Sequence, residues 1–115
     1  MRTRTAIDPD TLGSVSAFVE RIRRAYPVRQ ILLYGSRARN DHRADSDVDV
    51  AVLLAGEKQR TMDVALEMTD LALDILIEKG LVISPFPIWS EDWDNPSRAS
   101  NPWLIRTIKT EGVAL

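Results

Sequence analysis

The chain has 115 residues, 44% of them hydrophobic and 28% charged, with a formal net charge of −2 and no cysteine. This length suits one domain with its own core, so we expect residues 1–115 to form a single unit. The absence of cysteine excludes disulfides, thiolate zinc sites and cysteine nucleophiles, and the slightly acidic balance argues against strong nucleic-acid binding by the chain alone. No apolar run is long enough for a signal peptide or a membrane span, so we expect a cytoplasmic protein without membrane contact.

Helices and strands are predicted to alternate along the chain. The Asp8-Pro9 pair is typical of a helix start, and the first helix should end before Pro27. We predict a strand, a short helix, a second strand, a long helix, a third strand and a last helix at residues 28–34, 36–39, 47–54, 61–79, 81–89 and 103–110. The polar stretches 40–46 and 91–100 are expected to be loops. This order predicts an α/β fold of the α+β type, with helices packed on a small mixed sheet.

The long helix and the strand after it carry two further expectations. Apolar residues of the helix that we expect to be buried include Met62, Ala65, Leu66, Leu73 and Leu76. Its acidic residues form a ridge that is either solvated or faces a basic partner. The next strand contains two prolines, which cannot donate ladder hydrogen bonds, so we expect either an edge strand or a strand that frays after Ser84.

A Gly-Ser turn and an Asp-x-Asp pair carry most of the functional information. Gly35 and Ser36 directly follow the apolar strand that ends at Tyr34, where exposed backbone N–H groups can hold phosphate oxygens. Asp47 and Asp49 open the next strand two residues apart, so their carboxylates should leave the same face. Two carboxylates on a rigid surface suit Mg2+, which prefers oxygen ligands and shares them with water and phosphate. Together the two halves predict a site for a nucleoside triphosphate and a divalent cation.

The spacing of these residues resembles the signature of a known family. Gly35-Ser36, ten residues, and then Asp47-x-Asp49 is similar to the pattern of the minimal nucleotidyltransferases in the DNA polymerase β superfamily. The resemblance covers residues 28–90 and implies the nucleotidyltransferase fold. It implies that Gly35, Ser36 and Arg37 contact the triphosphate, whereas Asp47 and Asp49 bind Mg2+ and are catalytic. An acceptor hydroxyl would then attack the α-phosphate and release pyrophosphate.

The resemblance also implies a partner. Many small members are antitoxins encoded beside a helical HEPN-type ribonuclease, and some transfer AMP from ATP to a tyrosine of that toxin. We therefore expect a helical toxin, or a second copy of the chain, as the partner. Adenine preference rests on this resemblance alone, since no residue in the sequence identifies the base.

One position departs from the family pattern. Active members usually carry a third acidic residue on the next strand, where it serves as a general base and metal ligand. The equivalent positions here are Val82 or Ser84, and neither is a carboxylate. Acidic residues that could substitute only if the backbone turns them inward lie at the end of the long helix and after the strand, at Asp74, Glu78, Glu91 and Asp92.

Two leading functions therefore remain open, and transfer to a small molecule or an RNA end is a weaker third. The chain is either a Mg2+-dependent nucleotidyltransferase that modifies a protein hydroxyl, or an antitoxin of the same fold that neutralises its toxin by contact alone. Several residues have a plain structural alternative. Arg37 could be a solvated surface residue, and the only histidine, His42, is expected to lie exposed in the loop.

Overall fold

The computed structural model describes residues 7–115; the N-terminal stretch 1–6, on which part of the signal-peptide argument rests, lies outside the described residues. Within residues 7–115, five α-helices and four strands follow one another in the order α1, β1, α2, β2, α3, β3, α4, α5, β4. Their bounds are Pro9–Ala25 for α1, Val28–Tyr34 for β1, Ser36–Arg39 for α2, Val48–Leu54 for β2, Thr61–Lys79 for α3, Ile83–Trp89 for β3, Ser90–Asp94 for α4, Pro102–Glu111 for α5 and Val113–Ala114 for β4. A 3-10 turn, Pro96–Arg98, lies between α4 and α5.

The four strands form one mixed sheet in the order β3-β2-β1-β4. The central strands β1 and β2 are antiparallel, β4 adds to β1 in the antiparallel sense, and β3 runs parallel to β2. Helix α3 provides the long crossover that a parallel pair requires. The proline-containing strand β3 lies at an edge, as predicted, and the mixed α+β architecture is confirmed.

Each face of the sheet is covered by helices. Alternate residues of β2 from Val48 to Leu54 belong to a core shared with α1 and α3, whereas Ala51 and Leu53 belong to a second core shared with α4 and α5. This double burial explains why β2 is apolar on both faces. Asp49 precedes Ala51 in the second row, so the carboxylate lies on the face that α5 covers.

Sequence signals set most of the helix ends. The side chain of Asp8 accepts a hydrogen bond from the Thr11 N–H at the start of α1, and Asn101 does the same for Leu104 in α5. Helix α3 ends at Gly80 with φ of 82°, the left-handed conformation that glycine adopts without steric penalty. The predicted bounds of β1, α2 and α3 agree with those of the structure and are confirmed.

Two local predictions were wrong, and one element was not predicted. The polar stretch 91–100 is not only a loop, because α4 places Trp93 in the second core. The short strand β4 had not been predicted, since two residues carry no periodic signal. His42 is only partly exposed, because its Nε2 lies 3.2 Å from the Asp8 carboxylate.

The buried face of α3 also differs from the prediction. Met62, Leu66 and Leu73 are more than half exposed, and the residues that pack into the core are Val64, Met68, Ala72 and Ile75. The helix carries two apolar stripes of similar strength, and spacing alone does not reveal which of them meets the sheet. In the described part of the chain, no helix is long and apolar enough to cross a membrane.

Candidate functional site

The Gly-Ser turn lies directly against the second aspartate of the motif. Gly35 follows β1 with φ of 77° and ψ of −157°, a backbone region open essentially to glycine alone. Tyr34 is paired with Asp49 across the two central strands. A Cβ at Gly35 would lie 2.5 Å from the Asp49 Oδ2, so the Asp49 carboxylate would have to move if another residue replaced this glycine. The two halves of the sequence motif therefore form one site.

The two aspartates differ in environment. Asp47 lies exposed just before β2, whereas Asp49 is partly buried within the strand. Burial, reinforced by the charges of Asp47 and Glu111 and opposed by Arg39, raises the pKa of Asp49 above its usual value. The ionised site therefore contains unrelieved negative charge that a divalent cation would offset.

The position expected for a third carboxylate is a serine. Ser84 is the register partner of Asp49 on the parallel strand β3 and falls on the same face of the sheet. Two of the acidic residues considered as substitutes are engaged elsewhere, since Glu78 binds Arg21 and Asp92 binds Lys58. The strand position next to Asp49 thus provides a hydroxyl rather than a base.

Arg37 holds the loop that connects the two halves of the motif. Its side chain is buried, and its guanidinium donates to the carbonyls of Arg43, Ala44 and Ser46 at 3.0–3.4 Å. A fourth bond of 2.7 Å reaches the Thr11 Oγ1 on α1. With four N–H groups used internally, Arg37 positions the loop before Asp47. Its predicted contact with nucleotide stays a prediction, and this arrangement does not favour it.

Residue Glu111, which the sequence analysis did not identify, lies at the site. It ends α5, and its Oε1 accepts a hydrogen bond of 3.0 Å from the Gly35 N–H. Both of its carboxylate oxygens also accept from the Arg39 Nη1, at 3.1 and 3.2 Å. Burial, with the charges of Asp49 and Glu111, raises the pKa of Tyr34 to about 12. No local sequence signal could reveal Glu111, because it lies 76 residues from Gly35 along the chain.

The donor groups fit Mg2+ shared with a nucleotide better than a metal ion bound by protein alone. Within residues 7–115, no group of three or more histidine, cysteine, aspartate or glutamate side chains is arranged to hold a metal. Asp47 and Asp49 offer two carboxylates, and Mg2+ is commonly held by one or two carboxylates together with substrate phosphates and water. The remaining ligands would come from the nucleotide.

Comparison with known proteins identifies the family. The family described as "Polymerase beta, Nucleotidyltransferase" matches residues 19–83, more than half of the chain. The chain belongs to the polymerase β nucleotidyltransferase family. The matched region contains the Gly-Ser turn, the loop held by Arg37 and the aspartate pair. It ends at Ile83, so Glu111 and the helix that carries it lie outside the match.

A solved structure supports the same fold for this nucleotidyltransferase domain. A crystal structure of a protein from Sulfolobus solfataricus, to which nucleotidyltransferase activity is provisionally assigned, is similar with a TM-score of 0.51 and 16% sequence identity. The similarity covers 93% of this chain and 86% of that one. No curated protein matches the chain. The structural likeness therefore extends over almost the whole chain.

Proposed function

We propose that the protein is a Mg2+-dependent nucleotidyltransferase that moves a nucleoside monophosphate, AMP from ATP in the first instance, to a protein hydroxyl. The observation that carries this proposal is the contact between the Gly35 turn and Asp49, which brings a phosphate-binding backbone and a metal-binding carboxylate together. Membership of the family supports the reaction class. The choice of a protein hydroxyl as acceptor and of adenine as the nucleotide base rests on the resemblance of the motif to its family.

Each part of the site has a defined task in the proposed reaction. The backbone N–H groups at Gly35 and Ser36 would hold the distal phosphates of the nucleotide. Asp47 and Asp49 hold Mg2+, which when bound offsets charge on the triphosphate oxygens. The acceptor oxygen forms a bond to the α-phosphorus, and the bond from that phosphorus to the β-phosphate oxygen breaks. Pyrophosphate leaves, and the hydroxyl proton passes to solvent because Ser84 cannot accept it as a carboxylate would.

Intact-mass spectrometry tests the proposal. The purified protein and a helical ribonuclease encoded beside its gene are incubated with Mg2+ and each nucleoside triphosphate in turn. We expect the ribonuclease to gain the mass of one nucleoside monophosphate. The Asp47→Asn, Asp49→Asn double variant should give no gain, whereas Asp45→Asn, an exposed aspartate in the same loop, should behave like the wild type. Equal labelling by the double variant would contradict the proposal.

A second candidate function, neutralisation of a partner by contact, is favoured by the exposed face of α3. Met62, Leu66, Leu73 and Ile77 are separated by four, seven and four residues, so they form one stripe along the helix. All four are more than half exposed, and Ile77 reaches 77%. A shallow depression of about 100 Å3, lined partly by Leu73, Leu76 and Val82, adjoins this stripe. Contiguous exposed apolar surface of this kind marks a protein-binding site.

The charges beside this stripe point to a different protein rather than a second copy. Asp63, Asp70 and Asp74 lie at helical spacing along one side of it. In an antiparallel two-fold pair of α3 helices the acidic flank would face itself, so these side chains would repel one another. In a parallel pair it would face the opposite flank, and residues 61–78 contain no basic residue to pair with it. A partner helix with an apolar stripe and a basic flank fits this surface, as a helical toxin could.

Co-purification distinguishes the two candidate functions. The Leu66→Ser, Leu73→Ser double variant should lose the co-expressed helical ribonuclease, whereas Trp103→Ser, which alters an exposed apolar residue on α5, should keep it. Toxin neutralisation that survives Asp47→Asn with Asp49→Asn but fails in the α3 variant would favour contact alone. Unchanged co-purification of the α3 variant would contradict this docking surface.

A further inference from the structure

The anion-binding turn of the site is already occupied by the protein's own carboxylate. The Glu111 Oε1 accepts from the Gly35 N–H at 3.0 Å, and the Arg39 Nη1 donates to both carboxylate oxygens. The Glu111 side chain is only 17% exposed, whereas Arg39 is 39% exposed. These contacts place an anion on a backbone N–H that the proposed triphosphate site uses.

A carboxylate and a phosphate compete for such donors because both accept charge-assisted hydrogen bonds from backbone N–H groups and from guanidinium. The Gly35 N–H carries a single hydrogen. A triphosphate oxygen that takes this hydrogen must therefore displace the Glu111 carboxylate from it. Arg39, once released from Glu111, could donate to the same phosphate.

The backbone that delivers Glu111 is fixed by tight packing. A Cβ at Gly112 would lie 2.5 Å from the Ile108 carbonyl oxygen and 3.5 Å from the Leu32 Cβ. The next residue, Val113, pairs with Leu33 of β1. This pairing holds the end of α5 against β1, the strand that leads directly into the Gly-Ser turn. The position of Glu111 beside the turn is therefore set by the packing of Gly112 and by the pairing of β4 with β1.

Electrostatics favour exchange when a metal-bound nucleotide arrives. Without ligand, the carboxylates of Asp47, Asp49 and Glu111 lie close enough for both of the other charges to raise the pKa of Asp49. Arg39 is the cation that offsets them. A nucleotide bound to Mg2+ brings positive charge that offsets the carboxylates of Asp47 and Asp49, whereas a metal-free triphosphate adds only more negative charge.

We propose that Glu111 is an internal competitor for the triphosphate, so that nucleotide binding transfers the Gly35 N–H and Arg39 from the Glu111 carboxylate to phosphate oxygens. This inference rests on the proposed nucleotide site and adds a specificity residue to it. Glu111 raises the threshold for binding and discriminates against phosphates without metal.

Calorimetry with Mg2+ and α,β-methylene-ATP, which cannot be cleaved at the reacting bond, tests the competition. Glu111→Gln keeps the shape and can still accept from Gly35, but it removes the charge. We expect it to bind about tenfold more tightly than the wild type, the order expected when a charge-assisted hydrogen bond is replaced by a neutral one. Glu78→Gln, which removes a surface carboxylate paired with Arg21, should leave the affinity unchanged. Inorganic tripolyphosphate with Mg2+ should show the same gain, because the competition concerns phosphate oxygens only.

A second measurement can also be read in the wild type alone. The amide resonance of Gly35 should differ between free wild type and free Glu111→Gln, and should converge when both are saturated with the Mg2+ complex. An amide resonance in the wild type that stays unmoved on saturation would show that Glu111 keeps its bond, and would overturn the inference.

The outcomes separate this inference from the proposed function. If the wild type binds the Mg2+ complex and Glu111→Gln binds equally or more weakly, Glu111 is a structural tie, and the nucleotide site stands without it. If neither protein binds, and Asp47→Asn with Asp49→Asn changes nothing, the nucleotide site itself is wrong and the inference falls with it.

Discussion

Gly35 is limited by its backbone conformation and by its closeness to Asp49. Its φ and ψ lie in a region that side chains rarely adopt, and a Cβ would overlap the Asp49 carboxylate. Gly35→Ala should therefore destabilise the protein by about 3 kcal/mol or more. Gly56→Ala, also at positive φ but with no neighbour within 4 Å, should cost only about 1 kcal/mol. Urea denaturation of both variants measures the difference, and equal losses would contradict the contact with Asp49.

The charge of Asp49 should make the unliganded protein less stable. Its pKa is raised in the folded state, chiefly by burial, so ionisation disfavours folding. The penalty is complete above the folded pKa and absent below the ordinary value of 3.8. We expect Asp49→Asn to raise the melting temperature at pH 7 by a few degrees, about 1 kcal/mol, and to lose this advantage in acid. Thermal unfolding against pH measures it, with Asp45→Asn as control. A destabilised Asp49→Asn at pH 7 would show that the carboxylate is stabilising.

Arg37 should matter more for folding than its place beside the Gly-Ser turn suggests. Arg37→Met keeps the aliphatic stem but leaves the carbonyls of Ala44 and Ser46 without their donor. We expect a loss of about 2–4 kcal/mol in the free energy of unfolding. Arg43→Met, at an exposed position of the same loop, should stay within about 0.5 kcal/mol of the wild type. A stable Arg37→Met protein with weakened nucleotide binding would instead support the predicted nucleotide contact.

At the scale of elements, α3 shows why hydrophobic spacing alone can assign the wrong face. Two apolar stripes run along this helix, and only the one with Met68 packs into the core. Met68→Ala should cost about 2–5 kcal/mol through the cavity it leaves. Leu66→Ala, on the exposed stripe, should change stability by less than about 0.5 kcal/mol. Denaturant unfolding compares the two, and similar losses would mean that Leu66 is covered in solution by another molecule.

Helix α5 illustrates the opposite limit of sequence interpretation. Its start, with Asn101 as the N-cap and Pro102 as the first helical residue, was predictable from local chemistry. Its function was not, because the position of Glu111 depends on the pairing of β4 with β1. That pairing joins the two residues of β4 to Leu32 and Leu33, which lie about 80 residues earlier in the chain. Contacts of this kind arise from tertiary packing, which no local pattern encodes.

Although the nucleotide and metal roles of its motif stay predictions, the sequence correctly predicted the fold class of the whole molecule and the order of its main elements. These succeeded because caps, proline positions and apolar runs act locally. The spacing between the Gly-Ser turn and the aspartate pair is also a local signal. Antiparallel pairing of β1 with β2 brings the start of β2, with Asp49, beside the end of β1. The hydrogen bonds of Arg37 to the loop and the position of Glu111 beside Gly35 depend on tertiary packing, so the sequence did not reveal them.

The central claim is that the Gly-Ser turn and the aspartate pair form one site for a nucleotide bound with Mg2+. Calorimetric titration with α,β-methylene-ATP, with and without Mg2+, tests it most directly. We predict binding that requires Mg2+ and that is lost in the Asp47→Asn, Asp49→Asn double variant while Asp45→Asn retains it. Binding that is independent of Mg2+ and unchanged in the double variant would contradict the claim.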